Sequence, residues 1–161
     1  MKALNDFVTG PPVFVGYAST AQAIYYQNTG VALSLDTTII DTDNGHSNTT
    51  NNSRYTATVP GTYLIFGSVG YIANTSGDRR LYIALNGTSV VGSGTSFDPS
   101  QSVLHGLQTA AVVTMNGTTD YVEVMTAHSA TVGLPGPNNN TLSTNASGIY
   151  CPSMQVLWVS R

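Results

Sequence analysis

The chain has 161 residues, 41% of them hydrophobic and 8% charged, with a formal net charge of −3. That length suits one domain with its own core, and so much apolar content argues against disorder. Five Lys and Arg residues are too few for a basic nucleic-acid face, and the apolar runs are strand-sized, so neither nucleic acid nor a membrane is expected as a partner.

Residues 1–11 read as an N-terminal arm ahead of one domain spanning residues 12–161. Gly10, Pro11 and Pro12 keep the arm extended. Asn5 and Asp6 break what would be the apolar core of a signal peptide. Residues 13–18 alternate and open the β-domain. A short strand or edge follows at Ile24, Tyr25 and Tyr26, then residues 31–40 with Val31, Leu33 and Leu35 on one face. Residues 41–53 form a polar loop.

Residues 54–71 are the centre of the chain. Tyr55, Ala57 and Val59 alternate with Arg54, Thr56 and Thr58, the period of a half-buried strand. Pro60 and Gly61 make the turn. Beyond it both faces are apolar: Tyr63, Ile65, Val69 and Tyr71 on one, Leu64 and Phe66 on the other. Leu81, Ile83 and Leu85 then alternate with Tyr82 and Ala84, ending in the hairpin signal Asn86 and Gly87. Residues 92–101 are Gly- and Ser-rich and read as a loop. Asn116 and Gly117 signal a second hairpin between residues 103–113 and 121–126. Residues 133–145 form a long Pro- and Asn-rich loop, and Met154, Val156 and Trp158 alternate in the last strand. No segment keeps a 3.6-residue period, so the expected class is all-β, an antiparallel sandwich.

Six stretches in order carry a family resemblance: Pro12-Val-Phe-Val-Gly-Tyr17, the acidic loop Asp41-Thr-Asp-Asn-Gly45, the central residues 54–71, Leu81-Tyr-Ile-Ala-Leu-Asn-Gly87, residues 109–125 and residues 155–160. They resemble the globular-head family of the complement first component (q subcomponent), within the tumour-necrosis-factor jelly-roll superfamily. The resemblance covers residues 12–161. It implies an antiparallel jelly-roll sandwich whose first and last strands pair, with the arm and Arg161 at one end and the long loops at the other. It also implies a compact homotrimer. Two-sided apolar strands support that, since a sandwich core buries only one face of each sheet. Tyr63, Ile65, Tyr71 and Tyr82 are the candidate interface residues.

Chemistry-bearing constellations are sparse. Asp41 and Asp43 precede Gly45 at calcium-loop spacing, but no Glu follows at the closing distance, so a plain turn is the stronger reading and calcium the weaker. His46, His105 and His128 have no metal-ligand spacing and read as polar loop or edge residues. Asp120 and Glu123 are close in sequence but belong to a hairpin end. Ser93 lacks a nucleophile elbow. Cys151, the single cysteine, reads as a buried free thiol. No enzyme and no cofactor are expected.

The expected function is a trimeric virion surface protein, a bacteriophage capsid decoration or fibre head. Its partners would be itself and capsid or tail proteins, with Leu4, Phe7 and Val8 of the arm as the anchor. The alternative is a soluble, extracellular recognition module that binds a glycan or receptor through loops 41–53, 92–101 and 133–145. Their neutral Asn, Ser and Thr side chains suit polyols, with Tyr25, Tyr26 and Tyr150 as stacking candidates.

Overall fold

The computed structural model describes residues 10–25, 30–99, 103–131 and 141–161. The arm, including Leu4, Phe7 and Val8, lies outside the described residues, as do Tyr26 and most of the loop at residues 133–145. In chain order the first strands are β1 (Val13–Tyr17), β2 (Ala23–Tyr25), β3 (Val31–Ala32), β4 (Thr37–Asp41), β5 (Arg54–Thr56) and β6 (Gly61–Tyr71). There follow β7 (Arg79–Leu85), β8 (Thr88–Ser89), β9 (Thr95–Phe97), β10 (His105–Met115) and β11 (Tyr121–His128). The chain closes with β12 (Thr141–Ser143), a 3-10 turn at Gly148–Tyr150 and β13 (Ser153–Ser160).

The strands make an antiparallel jelly-roll sandwich. One sheet has the order β10, β6, β13, β1, β4. In the other, β11 pairs β7 on one edge and both β3 and β5 on the opposite edge, while β8 and β9 extend β7. A small third sheet joins β12 to β2. The first and last strands pair in register, Phe14 opposite Val156.

Alternation decides which side chains fill the sandwich. Along β6 the residues Tyr63, Ile65, Val69 and Tyr71 are all buried in the core. Leu81 and Ile83 of β7 and Val122 and Val124 of β11 meet them from the other sheet. Gly67 lies opposite Val124, where a Cβ would stand 2.8 Å from both valine methyls. At this point β6 leaves no room for a side chain between the two sheets. Tyr55 bridges the layers, its ring 5.5 Å from Phe14 and 6.2 Å from Tyr63.

Several local expectations change. Residues 31–40 are not one strand: Leu33 and Leu35 sit fully buried in irregular chain between β3 and β4. The Gly- and Ser-rich segment holds β9, paired to β7 by Thr95 opposite Leu81. Asn86 and Gly87 turn with φ of 51° and 77°, as their hairpin signal implies. The second hairpin is wider than two residues, because Asn116 Oδ1 accepts the amides of Thr118, Thr119 and Asp120.

The long loops do not share one end. Asp41 lies opposite Phe14, and the amide of Thr42 donates to the Val13 carbonyl, so loop 41–53 leaves at the end where β1 begins and β13 finishes. The described residues after 140 lie at the other end, where Thr144 bridges Tyr71 and the amide of Asn145 donates to Gly70. The loop follows its strand direction, which the topology sets and loop composition does not.

Candidate functional site

Three of the four expected interface residues are core residues. Tyr63, Ile65 and Tyr71 are fully buried within the chain itself. The Tyr63 hydroxyl donates to the Val59 carbonyl, and that of Tyr71 meets the Thr126 hydroxyl at 2.6 Å. A side chain with no accessible area adds no contact area to a partner. Tyr82 is half-buried on the other sheet, where a Cβ on Gly30 would collide with its hydroxyl. The four do not form one surface.

The opposite face of β6 is the apolar one left open. Register places Val112, Leu64, Leu157 and Val13 in one row across β10, β6, β13 and β1. The next row holds Ala110, Phe66, Gln155, Val15 and Ile40. None of these side chains is charged. Val112 is 63% exposed, and Phe66, Leu157 and Ile40 are each about two-fifths exposed. Ile149, at the tip of the 3-10 turn, projects beside this face and lines clefts on either side of it.

Asp41 and Asp43 are both committed to the loop. Asp41 accepts the amides of Gly45 at 3.1 Å and His46 at 3.0 Å. Asp43 Oδ2 accepts the hydroxyls of Tyr55 at 2.8 Å and Thr58 at 2.5 Å, while its buried Oδ1 has no hydrogen-bond partner among the described residues. Burial holds the Asp43 carboxyl above the usual range despite those two bonds. Burial, then the Asp43 charge, likewise pushes the Tyr55 phenol upward, which keeps it a donor. Among the described residues no three His, Cys, Asp or Glu side chains gather as a metal-holding group.

The same loop closes over β5 and β11 and builds a polar cleft of about 420 Å³. His46 anchors it: Nδ1 lies 2.7 Å from the Arg54 carbonyl and Nε2 3.0 Å from that of Leu35. Its ring also lies 4.6 Å from that of Phe14. Arg54 stands opposite Glu123 in the β5–β11 register, and Thr56 opposite Tyr121. The Arg54 guanidinium lies over the Tyr121 ring, 4.0 Å from its centroid. Its Nε donates to Glu123 Oε1 at 3.2 Å, and the Ser53 hydroxyl donates to the same oxygen at 2.7 Å. Asn44 and Asn51 hold the loop's left-handed positions, with φ of 56° and 49°. The sequence marks this loop as polar but does not find the cleft. Arg54 and Tyr121 are far apart in the chain, and only strand register joins them.

The remaining candidates serve the fold. Asp120 accepts the Asn116 amide, which closes the β10–β11 hairpin, and the Asn86 side-chain amide, which ties that hairpin to the β7–β8 turn. Ser93 is buried, its hydroxyl bonded to the backbone of Ile83 and Val90. His128 is an interior residue rather than a loop or edge one, since its ring nitrogens meet the Ile24 carbonyl and the Ala130 amide. Cys151 is a free thiol, half-buried rather than buried. Arg79 and Arg80 hold the loop that precedes β7. The buried Arg79 guanidinium donates to the carbonyls of Asn74, Ser76, Gly77 and Asp78.

No family model and no curated protein matches the sequence. Solved structures do. The globular domain of zebrafish complement 1qA protein aligns over 94% of this chain and 99% of its own, with a TM-score of 0.63 and 15% identity. Murine APRIL aligns over 93% of this chain and 100% of its own, with a TM-score of 0.60 and 9% identity. At these identities the likeness establishes the fold: a jelly roll of the complement-head and tumour-necrosis-factor type.

Proposed function

We propose that this chain is the head of a homotrimer that recognises a target through its loops and performs no chemistry of its own. The observation that carries the reading is the uncharged outer face of the five-stranded sheet. Two uncharged rows cross four and five strands there, apolar except for Gln155, with Leu64, Phe66, Val112 and Leu157 at their centre. A contiguous apolar sheet face left in water marks an interaction surface. The family resemblance supplies the occupant, two further copies around a threefold axis.

At a finer level we place this head on a virion surface, as a bacteriophage capsid decoration or fibre tip. The low charge and the jelly-roll head support this. The arm carrying Leu4, Phe7 and Val8 is the proposed anchor. A free extracellular recognition module is the alternative. Mass spectrometry of purified particles separates the two, since only the virion reading requires the protein to be present in them.

Sedimentation equilibrium tests the assembly itself. The wild-type chain at micromolar concentration is expected at trimer mass. Phe66→Asp with Leu157→Asp should give a folded monomer, because both side chains lie outside the core. A wild-type monomer, or a double variant that still forms trimers, overturns the proposal.

A further inference from the structure

The cleft beneath loop 41–53 has the chemistry of a binding site. Its one guanidinium is already oriented. Arg54 lies against Tyr121, with Nε taken by Glu123 and a side chain 38% exposed. No described residue engages its two Nη groups. A guanidinium fixed on an aromatic ring presents a planar fork at little further entropic cost, and that fork matches a carboxylate. Around it the lining is neutral and hydroxyl- or amide-bearing: Asn44, Ser47, Thr50, Asn51 and Thr119. Such side chains both donate and accept, as sugar hydroxyls require. The volume of about 420 Å³ lies within the roughly 300–1,000 Å³ of small-ligand sites.

Charge narrows the ligand further. Glu123 is 6% exposed and cancels the Arg54 charge at close range, and Asp41 and Asp43 belong to the same loop. Arg54 and Glu123 sum to zero and the two loop carboxylates add negative charge, so a monoanion is opposed less than a phosphate dianion or a polyanion. We infer that the Arg54–Tyr121 cleft binds a saccharide bearing a carboxylate, with the Arg54 fork on the carboxylate and the Asn, Ser and Thr side chains on the ring hydroxyls. This rests on the recognition-head reading and gives it a site and a ligand class. None of the residues lining the cleft belongs to the two rows assigned to self-association.

The test is an NMR titration of the full chain with N-acetylneuraminic acid, glucuronic acid, glucose and inorganic phosphate. Either acidic sugar should shift the amides of His46, Asn51 and Thr119, and glucose and phosphate should shift them little. Arg54→Gln should weaken the acidic sugar at least about tenfold, about 1.4 kcal/mol. Arg54→Lys should lie between, since it restores charge without the fork. Equal shifts with glucose, stronger shifts with phosphate, shifts confined to other loops, or full affinity in a folded Arg54→Gln each overturn the assignment. Should Arg54→Gln fail to fold, the wild-type shift map alone decides. Glycan-array binding by a chain that shows no acidic-sugar shifts at this cleft rejects the site and leaves the recognition head standing. A chain that binds no array glycan and no acidic sugar rejects both.

Discussion

The phenol of Tyr71 on β6 meets the hydroxyl of Thr126 on β11 at 2.6 Å, a hydrogen bond that crosses between the two sheets. Thr126 in turn donates to the Arg80 carbonyl at 2.8 Å, which leaves its oxygen to accept from Tyr71. Burial pushes the Tyr71 phenol up to about 12, so it remains a donor at any working pH. Tyr71→Phe keeps the ring and loses this bond, at an expected cost of about 0.5–1.5 kcal/mol. Thr126→Val removes both of the hydroxyl's bonds, leaves the phenol only the Ala127 carbonyl at 3.4 Å, and should cost more. Urea unfolding checks both, and a Tyr71→Phe variant as stable as wild type would show that the bond contributes nothing net.

Gly67 predicts a steric coupling. An added methyl there would meet both Val124 methyls at 2.8 Å and Thr109 Cγ2 at 3.2 Å. Gly67→Ala should destabilise by about 1–3 kcal/mol through overpacking. Val124→Ala opens that space, so the double variant should be more stable than the sum of the single effects. Simple additivity in denaturant unfolding would place the Gly67 effect in the backbone instead of the sheet contact.

His128 predicts a pH dependence. Burial lowers its proton affinity below the ordinary value of 6.5. The Ile24 carbonyl opposes that shift, Arg79 adds to it, and Asp78 opposes it. The neutral ring donates from Nε2 to Ile24 at 2.7 Å and accepts the Ala130 amide at Nδ1 at 3.1 Å. With the folded value depressed, the unfolded chain takes up this proton first as pH falls. Stability from this site is therefore complete above about pH 6.5 and is lost as pH drops from there through the lower folded value. Unfolding free energy measured across that window should decline, and His128→Gln should flatten the decline. An unchanged slope in that variant would assign the dependence to the carboxylates.

Alternation and turn chemistry were enough to reach the architecture. The period-two pattern of Tyr63, Ile65, Val69 and Tyr71 marks one face of β6, and Asn86 with Gly87 marks a hairpin the structure contains. These are local properties, decided by which side a side chain leaves the strand and which φ a residue tolerates. The jelly roll and the pairing of β1 with β13 came from the family resemblance that the order of these elements carried, and the structure contains both.

Which of two apolar faces turns inward was beyond the sequence. Tyr63 and Leu64 are both apolar and adjacent, and periodicity separates them without ranking them. The second sheet covers Tyr63, while Leu64 joins Val112 and Leu157 in a row on the outer face. The polar cleft has the same origin. Arg54 and Tyr121 meet because β5 pairs with β11 in one register, and a slip by one residue would send the guanidinium to the other face. Strand identity is set by nearest neighbours in the chain, whereas the partner of each face is set by long-range closure of the sandwich, and only the folded chain contains that information.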